Sequence, residues 1–127
     1  MLRILLIGSG AREHAIARSL SLSTKKKEIY CLATNYNPGI ADICSNIVVE
    51  NINDPDIVKT YAKKHKIDFA IIGPENPLAN GIADALSDIG IGSIGPKKNL
   101  AQVETSKSFT RELLTKYKIP GCPKFKT

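Results

Sequence analysis

The chain has no tryptophan, one methionine and three cysteines, and aromatic residues fill only 6% of its 127 positions. Cys31, Cys44 and Cys122 are odd in number, widely spaced and form no CxxC pair, which excludes a disulfide framework and the common zinc sites. They read as buried or free thiols in a reducing cytoplasm. Apolar runs are only a few residues long, too short for a membrane span or a signal-peptide core, so no membrane role is expected. No N-x-S/T sequon argues for secretion.

Acidic residues are outnumbered, 12 against 18 Lys and Arg, for a formal net charge of +6. The lysines cluster at Lys25–Lys27, at Lys63-Lys64-His65-Lys66, at Lys97-Lys98 and in the C-terminal tail. No aromatic residues interleave with them, so the stacking platform of a nucleic-acid binder is missing. The positive surplus reads as a solvated surface with a modest pull on small anions.

What is present is one domain's length of chain with an ordinary globular balance, 43% hydrophobic and 24% charged. Apolar runs alternate with amphipathic segments. Strands are predicted at Ile4–Ile7, Ile29–Ala33, Ile47–Val49, Phe69–Ile72 and Ile91–Ile94. A helix is predicted from Ala11 to Leu22, with Ala15, Ile16 and Leu20 on one face. Asp54 caps the next helix ahead of Pro55, with Ile57, Val58, Tyr61 and Ala62 as its apolar stripe. Asn76 and Pro77 repeat that start for a helix running through Leu78, Ile82, Leu86 and Ile89 to Gly90. A helical region over 99–117, broken near Thr105-Ser106, precedes an extended tail.

Apolar strands alternating with helices predict an α/β, Rossmann-like parallel sheet with helices on both faces. The division expected is a Rossmann-like domain over 1–96 and, over 97–127, a helical linker that opens a truncated second region. In such sheets ligands bind beyond the carboxyl ends of the strands, where GSGAREH, NYNPGIAD and GPENPLANG fall.

The GxGxxG pattern itself occurs at Gly90–Gly95, but there the glycines flank a strand instead of opening a helix, and it carries no weight. GSGAREH has the right context. Gly8 and Gly10 permit a tight turn, and the helix from Ala11 offers unpaired N–H groups to an anion. Two features argue against NAD: Glu13 stands where a dinucleotide fold keeps a small residue, and no acid follows the second strand at Ala33-Thr34-Asn35. Arg12 can grip a terminal phosphate as a charge-assisted fork; the other reading is a surface arginine paired with Glu13 or a nearby acid. Glu75, after a strand and Pro74, has the placement of a carboxylate for sugar hydroxyls or an amine, or of a helix N-terminal acid. His14 is either a ligand contact or a packed histidine. His65, among lysines, is expected to be solvated. No P-loop, no HExxH and no nucleophile with a paired base is present, so no catalytic residue is assigned within this chain and no metal site.

Taken in order, GSGAREHA, NPGIAD, GPENPLANGIAD, the GPKK turn and ETSKSFTRELLTKYKIP resemble the phosphoribosylamine–glycine ligase (glycinamide ribonucleotide synthetase) family of ATP-grasp enzymes, over nearly the whole chain. The resemblance implies an amino-terminal, pre-ATP-grasp domain of a cytoplasmic purine-biosynthesis ligase. That enzyme joins glycine to 5-phosphoribosylamine while ATP becomes ADP and phosphate. It implies that Gly8, Ser9, Gly10 and Arg12 hold the ribosylamine phosphate, with Glu13, Asn37, Gly39 and Glu75 in the same substrate-binding set. Lys107 resembles the first ATP-grasp lysine, which reaches the nucleotide phosphates. Mg2+ or Mn2+ ligands fall outside this chain, and the piece alone is expected to be inactive. Ala11 stands where the family usually has glycine, and Asn35-Tyr36 where it has Pro-Gly. Two rivals stay open: the substrate domain of another ATP-grasp ligase, and a non-catalytic nucleotide-binding regulatory domain.

Overall fold

The computed structural model describes residues 1–126. Five strands form one sheet: β1 (Leu2–Ile7), β2 (Lys27–Ala33), β3 (Asn46–Val49), β4 (Phe69–Ile72) and β5 (Gly92–Ile94). All neighbours are parallel, in the order β3-β2-β1-β4-β5. Between them run α1 (Ala11–Ser21), α2 (Pro38–Ala41), α3 (Pro55–Lys64), α4 (Glu75–Ala79) and α5 (Ile82–Asp88), with α6 (Lys98–Thr105) and α7 (Lys107–Lys116) after β5. This is the predicted Rossmann-like α/β fold.

β1 shows why an unbroken apolar run belongs at the centre. Leu5 and Ile7 join the core cluster built with α3, α4 and α5, whereas Ile4 and Leu6 join the cluster under α1. Side chains alternate across a strand, so a strand covered on both faces needs apolar residues at every position. Burying each Leu or Ile of this kind contributes about 1.5–3 kcal/mol.

The structure differs from the predicted elements in four places. The loop after β2 contains α2, which Asn37 caps by accepting from Gly39 N (3.0 Å) and Ile40 N (3.2 Å). The helix predicted to start with Asn76 as cap and Pro77 as first residue begins at Glu75, capped by Pro74, and ends at Ala79. Gly81, at φ 79°, breaks the helical path before α5 resumes, because a left-handed residue cannot continue a right-handed helix. In α1 the buried face carries Glu13 and Ala17, flanked by half-buried Ile16 and Leu20, while Ala15 is exposed. Positions 13, 16, 17 and 20 follow the i, i+3, i+4, i+7 spacing, and Ala15 falls off that stripe. His65 is half-buried, with its ring packed at a tilt against Tyr61 (centroids 4.3 Å) and Tyr30 (5.0 Å), so it is not the solvated histidine expected.

The break at 105–106 is as predicted. Ser106 ends α6 and caps α7 by accepting from Phe109 N at 3.2 Å. α6 is tied to the domain by buried Ala101, and by Asp84 of α5, whose Oδ2 accepts from Lys98 N at 2.8 Å. No described residue of α7 is buried. No described helix is long and apolar enough to cross a membrane.

Candidate functional site

The sheet order reverses between β1 and β4, because β1 leads outward to β2 and β4 leads the other way to β5. The loops after β1 and β4 therefore part at that point and leave a crevice. A cavity of about 320 Å³ lies there, lined from four loops: by Gly8, Ser9, Gly10 and Glu13; by Thr34; by Ile52 and Asn53; and by Pro74, Asn76 and Pro77. Larger grooves of 500–520 Å³ occur on helix flanks, such as the one between β3 and α3. They draw no residue from Gly8–Gly10, the loop that opens a helix N-terminus.

The β1–α1 turn is held from both sides. Gly8, at φ 117°, donates its N–H to Leu32 O (2.9 Å), and its carbonyl accepts from the buried Cys31 thiol (3.3 Å). Ser9 Oγ pairs with Thr34 Oγ1 (3.1 Å) and accepts from Asn35 N (3.2 Å). Asn37 Nδ2 donates to Ser9 O at 3.0 Å, so the residue that caps α2 also ties the β2 loop to the β1 loop. The N–H groups of the first helical turn have no intrahelical partner, and they point out of α1 toward the crevice mouth.

Glu13 is the one buried charged residue among those described, 5% exposed. Its Oε2 accepts from Gly10 N at 2.7 Å, folding the carboxylate back over the turn. The space it fills is made by two glycines. A Cβ on Gly8 would sit 2.8 Å from Glu13 Cγ, and one on Gly73 would run into Oε1. Arg12 is exposed, and Nη1 donates to Gly73 O at 3.0 Å. No ion pair joins it to Glu13 or to any other described acid. The first turn of α1 thus bolts the β4 loop to the β1 loop.

The other predicted residues fall as follows. Gly39 packs against the His14 ring so closely that any side chain there would strike it, which makes His14 a packing histidine between α1 and α2. Glu75 is the first residue of α4, exposed, without a side-chain hydrogen bond among the described residues and not among the cavity-lining residues. Lys107 is the first residue of α7, exposed and unpaired among the described residues. All three cysteines are free. Cys31 is buried beside Cys44; the neighbouring thiol and burial push its pKa up, while the Cys31 thiol pulls the Cys44 pKa down. Among the described residues, no group of three or more His, Cys, Asp or Glu side chains is placed to hold a metal ion.

Sequence reasoning passed over the loop after β3. Its Asn53 lines the cavity, and Asn53 Oδ1 is buried with no hydrogen-bond partner. The signal was available, since the loop after every parallel strand opens on the same edge of the sheet.

The family model for the phosphoribosylglycinamide synthetase N domain matches residues 2–104. The phosphoribosylamine–glycine ligase of Methanopyrus kandleri is 47% identical over 126 residues, which is 98% of this chain and 28% of that relative. The chain therefore spans a little over a quarter of the length of that relative. The crystal structure of phosphoribosylglycinamide synthetase from Anaerococcus prevotii aligns with TM-score 0.65 at 18% identity, covering 92% of this chain and 29% of that one. N5-carboxyaminoimidazole synthetase from Staphylococcus aureus, complexed with ADP, aligns with TM-score 0.70 at 15% identity, covering 91% and 30%. At those identities the two structures speak for the fold, and the relative and the family model speak for descent. On that ground the chain belongs to the phosphoribosylglycinamide synthetase N-domain family.

Proposed function

We propose that this chain is the substrate domain of a cytoplasmic ATP-dependent ligase that joins glycine to 5-phosphoribosylamine. Residues 1–96 form the domain that holds the ribosylamine, and 97–127 lead toward the ATP-grasp region. The observation that carries the proposal is the N-terminus of α1, which opens with Gly8, Ser9 and Gly10 on the crevice and has Arg12 beside it. Unpaired amides and an arginine fork together suit a terminal phosphate. Asn37 and Gly39 are proposed to support the site from outside the cavity lining, Asn37 through its hydrogen bond to Ser9 O and Gly39 by seating α2 on His14. Glu75 is proposed to reach the ligand's sugar from the β4 loop, and Lys107 to meet nucleotide phosphates.

The reaction needs an activated carboxylate. ATP phosphorylates glycine, and the ribosylamine nitrogen attacks the acyl phosphate, releasing phosphate. This chain's share is to fix the attacking amine by gripping the far end of its sugar, which converts a chance encounter into an oriented one. ATP, Mg2+ or Mn2+, and the groups that hold the metal belong to the longer protein. The test is an assay for ATP- and glycine-dependent formation of glycinamide ribonucleotide with phosphate release. The full-length protein is expected to turn over and the 127 residues alone are not. Turnover by the short chain, or none by the long one, contradicts the proposal.

A further inference from the structure

We propose that Cys44 and Cys31 form a reversible disulfide when a peroxide reaches Cys44, and that this pairing takes the Cys31 thiol away from the β1–α1 turn. The pairing stands on its own geometry, and its effect on ligand binding rests on the phosphate site proposed above. Both thiols are free. Cys31, in β2, is fully buried and donates to Gly8 O at 3.3 Å. Cys44 follows α2 and is half-buried, packed against the cluster of Cys31, Ala33 and Ile40 and against the cluster under α1. The backbone holds it there. Cys44 N donates to Ile40 O (2.9 Å), and the next residue, Ser45, donates its N–H to Ile29 O (2.8 Å). Ile29 and Cys31 lie two apart on one strand and so face the same side of the sheet, the side on which Cys44 packs.

Reach and reactivity fall on the same sulfur. Cys44 is the member of the pair open to solvent, and the neighbouring Cys31 thiol pulls its pKa down against the opposing effect of burial. The thiolate is the form that attacks a peroxide. Its sulfur takes one oxygen as the O–O bond breaks, and the departing hydroxide picks up a proton and leaves as water. The product is a sulfenic acid on Cys44. The Cys31 sulfur then attacks the Cys44 sulfur, the S–O bond breaks, and the leaving hydroxide takes the Cys31 proton as a second water. Together the two thiols give up two electrons to one peroxide, and a dithiol reverses the change by exchange. That lost proton sets the consequence. A disulfide sulfur has no hydrogen to donate, so the buried Gly8 carbonyl loses the hydrogen bond that Cys31 gives it. A buried carbonyl without a donor is disfavoured, which releases the turn from the conformation on which the α1 N-terminus is built.

The experiment treats the Cys122→Ser chain, which leaves only this pair of thiols, with hydrogen peroxide and counts thiols by alkylation and mass after denaturation. Both thiols are expected to disappear together in a monomer and to return with dithiothreitol. On the same samples, oxidation is expected to speed hydrogen exchange at the Ser9 and Gly10 amides. It is also expected to weaken ribose 5-phosphate binding by about fivefold or more, the low end of coupling between two sites. Cys44→Ser leaves the Cys31–Gly8 hydrogen bond in place and is expected to ignore peroxide in both readouts. Should it fail to fold, Cys31→Ser is expected to stop at an oxidised Cys44, with no faster exchange at the turn. Cys31 still open to alkylation after peroxide overturns the inference. So does a disulfide that leaves either the amide exchange or a measurable ribose 5-phosphate affinity unchanged. If the reduced chain binds no ribose 5-phosphate, the phosphate site falls, and thiol counts with amide exchange decide this inference.

Discussion

Arg12 spends one of its five donors on the Gly73 carbonyl, next to Pro74 of the cavity lining, and its side chain is otherwise exposed. Because Arg12 makes no ion pair among the described residues and its one hydrogen bond, to Gly73 O, is exposed, Arg12→Ala is expected to cost no more than about 1 kcal/mol of stability. The same substitution is expected to weaken ribose 5-phosphate binding by about tenfold or more, the effect of losing a charge-assisted fork. Thermal denaturation and a binding titration on the same sample separate the two effects, and an unchanged affinity would reduce Arg12 to a surface residue. The turn at Gly8–Gly10 and the helix start beside Arg12 were legible because a strand-turn-helix signal is local. Glu13 was legible only as a misfit in a dinucleotide pattern. Its burial depends on Gly73, which is remote in the chain and meets it only when β1 and β4 pair.

Helices and strands were readable where a local signal existed. α3 was predicted from Asp54 and Pro55, and Asp54 Oδ1 does accept from Asp56 N at 2.9 Å. The α4–α5 break went unread because Leu78, Ile82 and Leu86 keep helical spacing across it, all three buried. The C-terminal end of α3 makes a testable statement of its own. His65 follows the last residue of α3 and packs at a tilt against Tyr61 and Tyr30, with Arg3 Nη1 donating to its carbonyl at 3.1 Å. Burial lowers its pKa below the ordinary histidine value, helped by the charges of Lys64 and Arg3. Protonation therefore favours the unfolded chain. The stability His65 contributes is present above its unfolded-state pKa of about 6.5 and is lost as pH falls below it. Melting temperature is expected to drop between about pH 7.5 and about pH 5, and to drop less in His65→Gln. Parallel pH profiles for the two proteins would show that His65 is not the group responsible.

At the scale of the whole molecule, sheet order turns scattered loops into one site. The strand runs were enough to predict a parallel sheet, but not that β1 would sit between β2 and β4, since apolar runs carry no order. That order brings Gly8–Gly10, Thr34, Asn53 and Asn76 to one crevice. The short outer strands β3 and β5 were bounded to within one residue, whereas β1 and β2 each begin two residues before their apolar run, because Arg3, Lys27 and Glu28 put charged side chains at the starts of those strands and hide the apolar signature. The central claim is that this crevice is built for a sugar phosphate and not for a dinucleotide. Backbone amide resonances followed by NMR during titration with ribose 5-phosphate, and separately with NAD, test it most directly. Saturable shifts centred on Gly8 to Arg12, with Thr34 and Asn53, are expected for the sugar phosphate and not for NAD. Saturable NAD binding at the same amides, with none for ribose 5-phosphate, would contradict the account.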